Sequence, residues 1–290
     1  MMTISCPKEE VVMTTAKGED LILLLSTRKA IYQYDLSANR KMELIGNQND
    51  IFGYAMDYWL KDSINVMDLN TKQRKVLFKD VDRPLAIAVD PSKGLIFWIG
   101  AIESNDLLGR RDRIERASMD GNDRMTIATF EDDFRVTSIA LDIFNERVYW
   151  ADYYTKTEND TKAIASVDYN GNDWRTILHS DTLIDPIYSL TIFEEKLYWT
   201  DRYRDGVYVI NKFNGTEVRK LISGVEHPRT VRVYHSAVQP ELPNKCDQHS
   251  CGDGAICLPK GNSSMGLSYS CVCADRYKRG EESNTCVLGI

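Results

Sequence analysis

The chain has little of what a membrane span, a nucleic-acid surface or a hydrolytic site would need. Its apolar runs, such as Leu21 to Leu25, fall far short of the roughly 20 residues that cross a bilayer. Met1 is followed by no charged-then-apolar leader. Charge leans acidic, with 36 Lys and Arg against 43 Asp and Glu for a net −7, which argues against nucleic acid as a partner. No polybasic or strongly amphipathic helical stretch offers direct membrane insertion. Histidine is scarce, at four residues. There is no GxSxG elbow and no His pair, and neither the CxxC knuckles nor the histidine spacing of a zinc site is present. No catalytic residue, metal ligand or cofactor is expected. Proline numbers only 8, and cysteine is nearly missing from the first 245 residues, with Cys6 alone there.

What the chain does have is a repeat. Tyr149-Trp150-Ala151-Asp152 and Tyr198-Trp199-Thr200-Asp201 sit at the same place in a longer unit. One unit reads Val136 to Asp142, Arg147 to Ala151, Ala163 to Asp168 and Trp174 to Leu178, four short alternating segments whose last joint contains Asn170-Gly171. Asn-Gly suits the positive φ angles of a tight hairpin. Gly121 and Gly215 stand in matching turns of the neighbouring units. A unit of this size is one small sheet that cannot cover both of its faces alone, so the units must stack. With 10% aromatic residues and apolar positions alternating rather than spaced at helical period, the chain reads as all-β, and four strands repeated every 40 to 50 residues or so read as blades of a β-propeller.

The two ends of the array interlock. Leu21 to Ser26, Ala30 to Asp35 and Lys41 to Ile45 match strands two, three and four of a blade, while Pro228 to His235 matches the missing inner strand. One blade is therefore expected from both termini. About five blades are recognisable: this shared one, one around Ile51 to Phe78, and units at Leu85, Val136 and Tyr188. The second is cramped, with seven residues from Asp57 to Ile64 against 24 from Asp90 to Ile114. Tyr58-Trp59-Leu60-Lys61-Asp62 reads as a damaged copy of the repeated word, as if about one blade had been excised.

The repeated words, the joint Val233 to Pro240 and a cysteine-rich tail resemble the low-density lipoprotein receptor family, in which a YWTD propeller precedes an EGF-like module. The resemblance spans residues 20 to 287 or so and implies six blades ancestrally. It implies a leader or remnant of a preceding EGF-like module over 1–19, a propeller over 20–238 and an EGF-like domain over 242–287. It also implies that Trp98, Tyr149, Trp150, Asp152, Tyr198, Trp199 and Asp201 are structural, each Trp a wedge between blades and each Asp bonded to backbone of a neighbouring repeat.

Six of the seven cysteines fall in the last 45 residues, a segment too small for a large core. Spacing alone allows fifteen pairings. The EGF-like resemblance selects Cys246 with Cys257, Cys251 with Cys271, and Cys273 with Cys286. Cys6 is either the last cysteine of a missing module or a free thiol. Disulfides call for an oxidising compartment, as do the sequons at Asn159, Asn214 and Asn262. The chain is thus expected on the extracellular or endosomal side of a membrane receptor, or secreted, as a fragment, an isoform or an incomplete gene product.

In a four-stranded blade the two-to-three loops and the links to the next blade leave one face, and the other joints leave the opposite one. The first face carries the longer connections, Ile102 to Arg113 and Asp152 to Lys162 among them, which favours recognition there. Asp132, Asp133, Phe134, Tyr153, Tyr154 and Tyr203 suit a basic partner with an apolar anchor, or are solvated loop residues. His179 and His227 are pH-switch candidates on that side, whereas His235 in the joint reads as packed. The resemblance implies an endocytic receptor module for a lipoprotein, yolk protein or similar extracellular ligand, or for neighbouring receptor modules. The alternatives are a matrix or signalling co-receptor propeller and, more remotely, a calcium-dependent hydrolase. Against the last, Ala86, Ala88, Ser138, Ala140, Ser189 and Thr191 of the inner strands are small and non-ligating.

Overall fold

The protein is described here by a computed structural model covering residues 3–6, 22–26, 31–35, 40–45, 63–68, 71–79, 81, 84–103, 110–155, 161–180, 182–201, 203–238, 245–246, 251–261, 268–280 and 285–289. The strands are β1 (Thr3–Cys6), β2 (Ile22–Ser26), β3 (Ile31–Asp35), β4 (Arg40–Ile45), β5 (Ile64–Asp68), β6 (Arg74–Phe78), β7 (Ala86–Asp90), β8 (Leu95–Glu103), β9 (Arg110–Ser118) and β10 (Met125–Thr129). They continue as β11 (Phe134–Asp142), β12 (Arg147–Tyr154), β13 (Lys162–Asp168), β14 (Arg175–Ser180), β15 (Ile187–Phe193), β16 (Lys196–Asp201), β17 (Gly206–Asn211), β18 (Arg219–Ser223) and β19 (Thr230–Tyr234). The order β19-β2-β3-β4 makes blade 1 from both ends of the chain, with Val231 opposite Leu25. Blades 3, 4 and 5 are the consecutive sheets β7–β10, β11–β14 and β15–β18. The fold is all-β, a propeller followed by a disulfide-rich module.

Blade 2 is where the pattern breaks. Its sheet has three strands, ordered β1-β5-β6, and β1 runs parallel to β5, with Cys6 opposite Asp68. The sequence assigns Thr3–Cys6 to a leader; in the structure it takes the place beside β5 that a blade's second strand would fill running antiparallel. The Trp59 segment lies outside the described residues. Among those residues there are four four-stranded blades and this three-stranded one, in keeping with five recognisable units.

The YWTD strands are buried almost end to end because each blade packs against a neighbour on both sides. β12 buries Arg147 through Asp152, and β16 buries Leu197 through Asp201. Trp98 packs with Ile64, Val66 and Phe78 of blade 2. Trp150 packs with Phe97, Ile99 and Phe130 of blade 3, and Trp199 with Tyr149, Ala151 and Ile164 of blade 4. All three are wholly buried wedges on the preceding blade, and truncating one would cost about 3–5 kcal/mol.

The inner strands hold a second set of inter-blade links. An inner strand is a sheet edge with free N–H groups, and these need acceptors. Ser138 Oγ accepts from Leu190 N at 3.0 Å, and Ser189 Oγ from Val231 N at 3.2 Å. Thr191 Oγ1 accepts from Val233 N at 3.4 Å, and Asp112 Oδ2 from Val136 N at 2.8 Å. The small inner-strand residues are therefore stitches between blades. Asp152 accepts from Trp150 Nε1 of its own strand at 2.8 Å rather than from backbone of a neighbouring repeat. Asp201 accepts from Asp185 N in the link that joins blade 4 to blade 5, and from the Tyr203 and Arg204 N–H groups of its own blade. Accordingly Trp199 Nε1, which has lost that acceptor, is buried without a hydrogen bond.

Three disulfides, Cys246–Cys257, Cys251–Cys271 and Cys273–Cys286, staple the C-terminal module. They frame two hairpins, β20 (Ala255–Pro259) with β21 (Tyr269–Cys273), and β22 (Tyr277–Arg279) with β23 (Cys286–Leu288). The module does not rely on cross-links alone. Ile256, Leu258 and Ala274 join one buried cluster with Trp98, Ala117 and Met119 of blade 3. Around it Gly261 N donates to Ser118 Oγ at 2.8 Å, Ser270 Oγ to Asp120 Oδ2 at 2.6 Å, and Asp275 N to Arg74 O at 2.7 Å. Gly94 sits at φ 68°, where a Cβ would overlap the Lys260 carbonyl oxygen, so glycine is required for this docking.

Candidate recognition face

On the face where β11 starts and β12 ends, the connections are partly strand rather than loop. β8 and β9 pair out to Glu103 and Arg110, and β12 and β13 out to Tyr153 and Lys162. Tyr153 and Tyr154 are therefore strand residues, half-buried. Phe134 lies opposite Tyr154, with ring centroids 5.2 Å apart. The carboxylates expected to be free for a partner are largely engaged. Asp132 accepts from Arg111 Nε at 2.6 Å, whereas at Asp133 it is the main-chain carbonyl, not the carboxylate, that accepts from Thr155 N and Oγ1, both at 3.0 Å. Asp152 is buried, and burial pushes its carboxyl up to about 6 against the opposing Trp150 N–H. It shares a row with His179, both flanking Ala163 across the sheet. Paired residues of adjacent strands point to the same side.

Among the described residues, blade 5 presents the most open apolar groups on this face. Tyr203 is 67% exposed and Leu183 50%. Arg204 fixes their two loops to each other: Nη1 donates to Leu183 O at 2.9 Å, Nη2 to Thr182 O, and Nε to Asp185 Oδ2 at 3.0 Å. Asp201 in turn holds Asp185, Tyr203 and Arg204 by their N–H groups. Burial pushes the Asp201 carboxyl above its ordinary value although those donors pull it down. Sequence reasoning named Tyr203 and missed Leu183 and Arg204. Nothing in the linear order tells that Arg204 reaches back across twenty residues.

The histidines are spread apart. His179 is exposed on β14. His227 takes φ 49° and its N–H donates to Asp205 Oδ1 at 3.0 Å. His235 packs on Phe193 with centroids 4.5 Å apart, and its Nδ1 accepts from Ala237 N at 3.1 Å. Of the sequons, Asn214 lies on an exposed turn, while Asn159 and Asn262 fall outside the described residues. Among the described residues no three His, Cys, Asp or Glu are grouped to hold a metal ion, and no helix is long and apolar enough to cross a membrane.

The opposite face is made of tight turns. Asp90 accepts from Lys93 N at 3.1 Å, Asp142 from Asn145 Nδ2 at 2.8 Å, and Asp168 from Asn170 N and Asn172 N at 2.8 Å. Two of these aspartates also receive a group from the next blade: Tyr169 Oη donates to Asp90 at 3.1 Å, and Lys212 Nζ lies 2.5 Å from Asp142 with both side chains buried.

Comparison with known proteins places this architecture. The chain is 32% identical over 211 residues to a vitellogenin receptor of Solenopsis invicta, covering 73% of this chain and 11% of that protein. It is 31% identical over 209 residues to the vitellogenin receptor Yl of Drosophila melanogaster, covering 72% of this chain and 10% of that one. The chain belongs to the low-density lipoprotein receptor family. It spans about a tenth of the length of these receptors, so it matches one portion of a lipoprotein-receptor-like protein. No protein-family model matches. Among solved structures, a nidogen/laminin complex is similar at 16% identity and TM-score 0.39, covering 73% of this chain and 98% of that chain. An oligogalacturonate lyase with manganese is similar at 11% identity and TM-score 0.42, covering 72% of this chain and 66% of that chain. Neither likeness bears on activity at those scores.

Proposed function

We propose that this chain is the non-catalytic ligand-handling part of an extracellular receptor, taking a yolk protein, a lipoprotein or a similar secreted protein on the face that carries Leu183, Tyr203, Phe134 and Tyr154. The observation that carries the reading is the Arg204 clamp. It holds two large apolar side chains in solvent on loops already ordered, so binding would not have to supply that ordering. Aromatic and apolar anchors with arginine close by are the usual energetic centre of a protein interface. The vitellogenin receptors are named for a yolk protein, which makes that ligand class the first to try. The disulfides support an oxidising, extracellular setting.

Support for a non-catalytic role comes from Arg232 on inner strand β19. Its Nη1 donates to Ser189 Oγ at 2.9 Å and to Leu190 O at 3.1 Å, laying a cation across the inner strands of blades 1 and 5. A propeller hydrolase would need carboxylates around a cation there instead. The test is binding of purified yolk lipoprotein to the wild-type chain and to Tyr203→Ala and Leu183→Ser, measured by surface plasmon resonance. Loss of an anchor should weaken affinity by about tenfold or more, and unchanged affinity in both variants would refute the assignment.

A further inference from the structure

Behind the recognition face, blades 4 and 5 leave a groove of about 410 Å³ between their turns and the joint to the C-terminal module. Its open rim is aromatic: Phe144 is 73% exposed and Phe213 46%. Leu141, Ile192 and Val238 line it further in. Two exposed aromatic rings at one rim make an apolar surface that a covering group could shield from water.

The chain itself offers one. In blade 4 the turn from β13 to β14 runs Asp168-Tyr169-Asn170-Gly171, and Gly171 N donates back to Asp168 O. In blade 5 the matching bond runs from Gly215 N to Asn211 O, so that turn is one residue longer. Lys212 takes the buried place of Tyr169, each reaching the inner-strand aspartate of the preceding blade. Phe213 is the added residue, pushed out to the groove. It is followed by Asn214-Gly215-Thr216, a sequon that the turns at Gly121 and Gly171 lack. Asn214 is exposed, and its Oδ1 accepts from Thr216 Oγ1 at 2.7 Å and Thr216 N at 3.0 Å. That polarises the amide and leaves Nδ2 donating to nothing among the described residues.

We propose that Asn214 carries an N-linked glycan whose first N-acetylhexosamine packs on Phe213 and covers the Phe144 groove. The donor is a polyprenyl-diphosphate oligosaccharide of the secretory pathway. Asn214 Nδ2 forms the bond to the sugar's anomeric carbon and loses one proton, while the carbon–oxygen bond to the diphosphate breaks and the diphosphate leaves with the electron pair. A sugar ring has an apolar face of C–H groups that suits an aromatic ring, and its hydroxyls remain in water. On this side of the ring the glycan shields the groove and leaves Leu183 and Tyr203 open, so the inference stands whether or not the ligand reading does.

The experiment is expression of the full chain behind a heterologous signal peptide in insect cells, with site occupancy read by mass spectrometry on cell-associated and secreted protein alike. Asn214 should be occupied in wild type and in Thr216→Ser, and empty in Asn214→Gln and Thr216→Ala. An unoccupied Asn214 in wild type overturns the proposal. Removal of the glycan by either variant should lower Tm by about 2–4 °C, and trimming to the first sugar with endoglycosidase H should leave Tm unchanged. In a Phe213→Ser background the loss of the glycan should no longer shift Tm. An equal shift in both backgrounds, or no shift in either, overturns the contact with the groove.

Discussion

The two faces of the ring are built from the same blades yet spend their polar groups differently. On the turn side, the inner-strand aspartates are consumed: Asp90 by its own turn and Tyr169, Asp142 by Asn145 and Lys212. On the opposite side Asp201, which ends a YWTD strand, organises what leaves the ring by holding the loop that carries Tyr203. One face is a clasp between blades and for the C-terminal module. The other is a platform. Aspartates at the ends of different strands serve the two purposes because a carboxylate bonds whichever donors the fold brings near it.

The sharpest way to break that contrast is at the buried pair. Lys212→Met leaves the Asp142 carboxylate buried with its charge uncompensated and should cost roughly 3–5 kcal/mol in guanidinium unfolding. Adding Asp142→Leu should recover most of it, and failure to recover would mean that the turn needs Asp142 more than the pair does.

Asp152 gives a pH-dependent effect on the other face. Burial raises its carboxyl to about 6, above the unfolded value of about 3.9. The folded state therefore keeps a proton that the unfolded chain releases, so its contribution to stability is greatest at low pH and is lost as pH rises through about 6. Asp152→Asn, which still accepts from Trp150, should add up to about 2–3 kcal/mol at pH 7 and flatten stability against pH between about 4 and 6. An unaltered slope would show that Asp152 ionises freely.

Asp120 at the docking site runs the other way. Burial pushes it up, but the bonds from Ser270, Ser118 and Asn122 outweigh this and hold it below its usual value. The stability it lends is complete above the ordinary carboxylate range and is lost only as pH falls through its lowered folded value, so docking should persist at endosomal pH. Gly94→Ala meets the Lys260 carbonyl and a positive φ, and should cost roughly 1–3 kcal/mol, seen as earlier protease cleavage between the two modules. Least of all, Tyr203→Ala should move stability by under about 0.5 kcal/mol. A larger loss would mean that the platform is part of the frame.

Much of the frame is legible from residue order. Alternation and Gly-turn spacing locate the strands of blades 3 to 5, and Pro228 to His235 reveals the blade shared between termini, because a strand missing at one end and surplus at the other leave one consistent solution. The recognition face is less legible. Asp132 and Asp152 read as available charges, but their availability depends on Arg111, which is 21 residues from Asp132, and on how deeply the sheet buries Asp152. Leu183 looks like any loop leucine until Arg204 is seen holding its carbonyl.

By itself the sequence determined the repeat, the all-β class and the cysteine-rich second module, and the family resemblance added the wedge tryptophans. The first three follow from periodicity and spacing, which are properties of neighbours along the chain. Tertiary structure alone decided that β1 fills blade 2 in parallel, that hydroxyls of inner strands cap the next blade's edge, that the C-terminal module is packed into the blade 3 cluster, and that Leu183 and Tyr203 stand clear of the ring. Those outcomes depend on which buried donor meets which acceptor across blades, and backbone groups at a sheet edge take whatever partner the closed ring brings within reach.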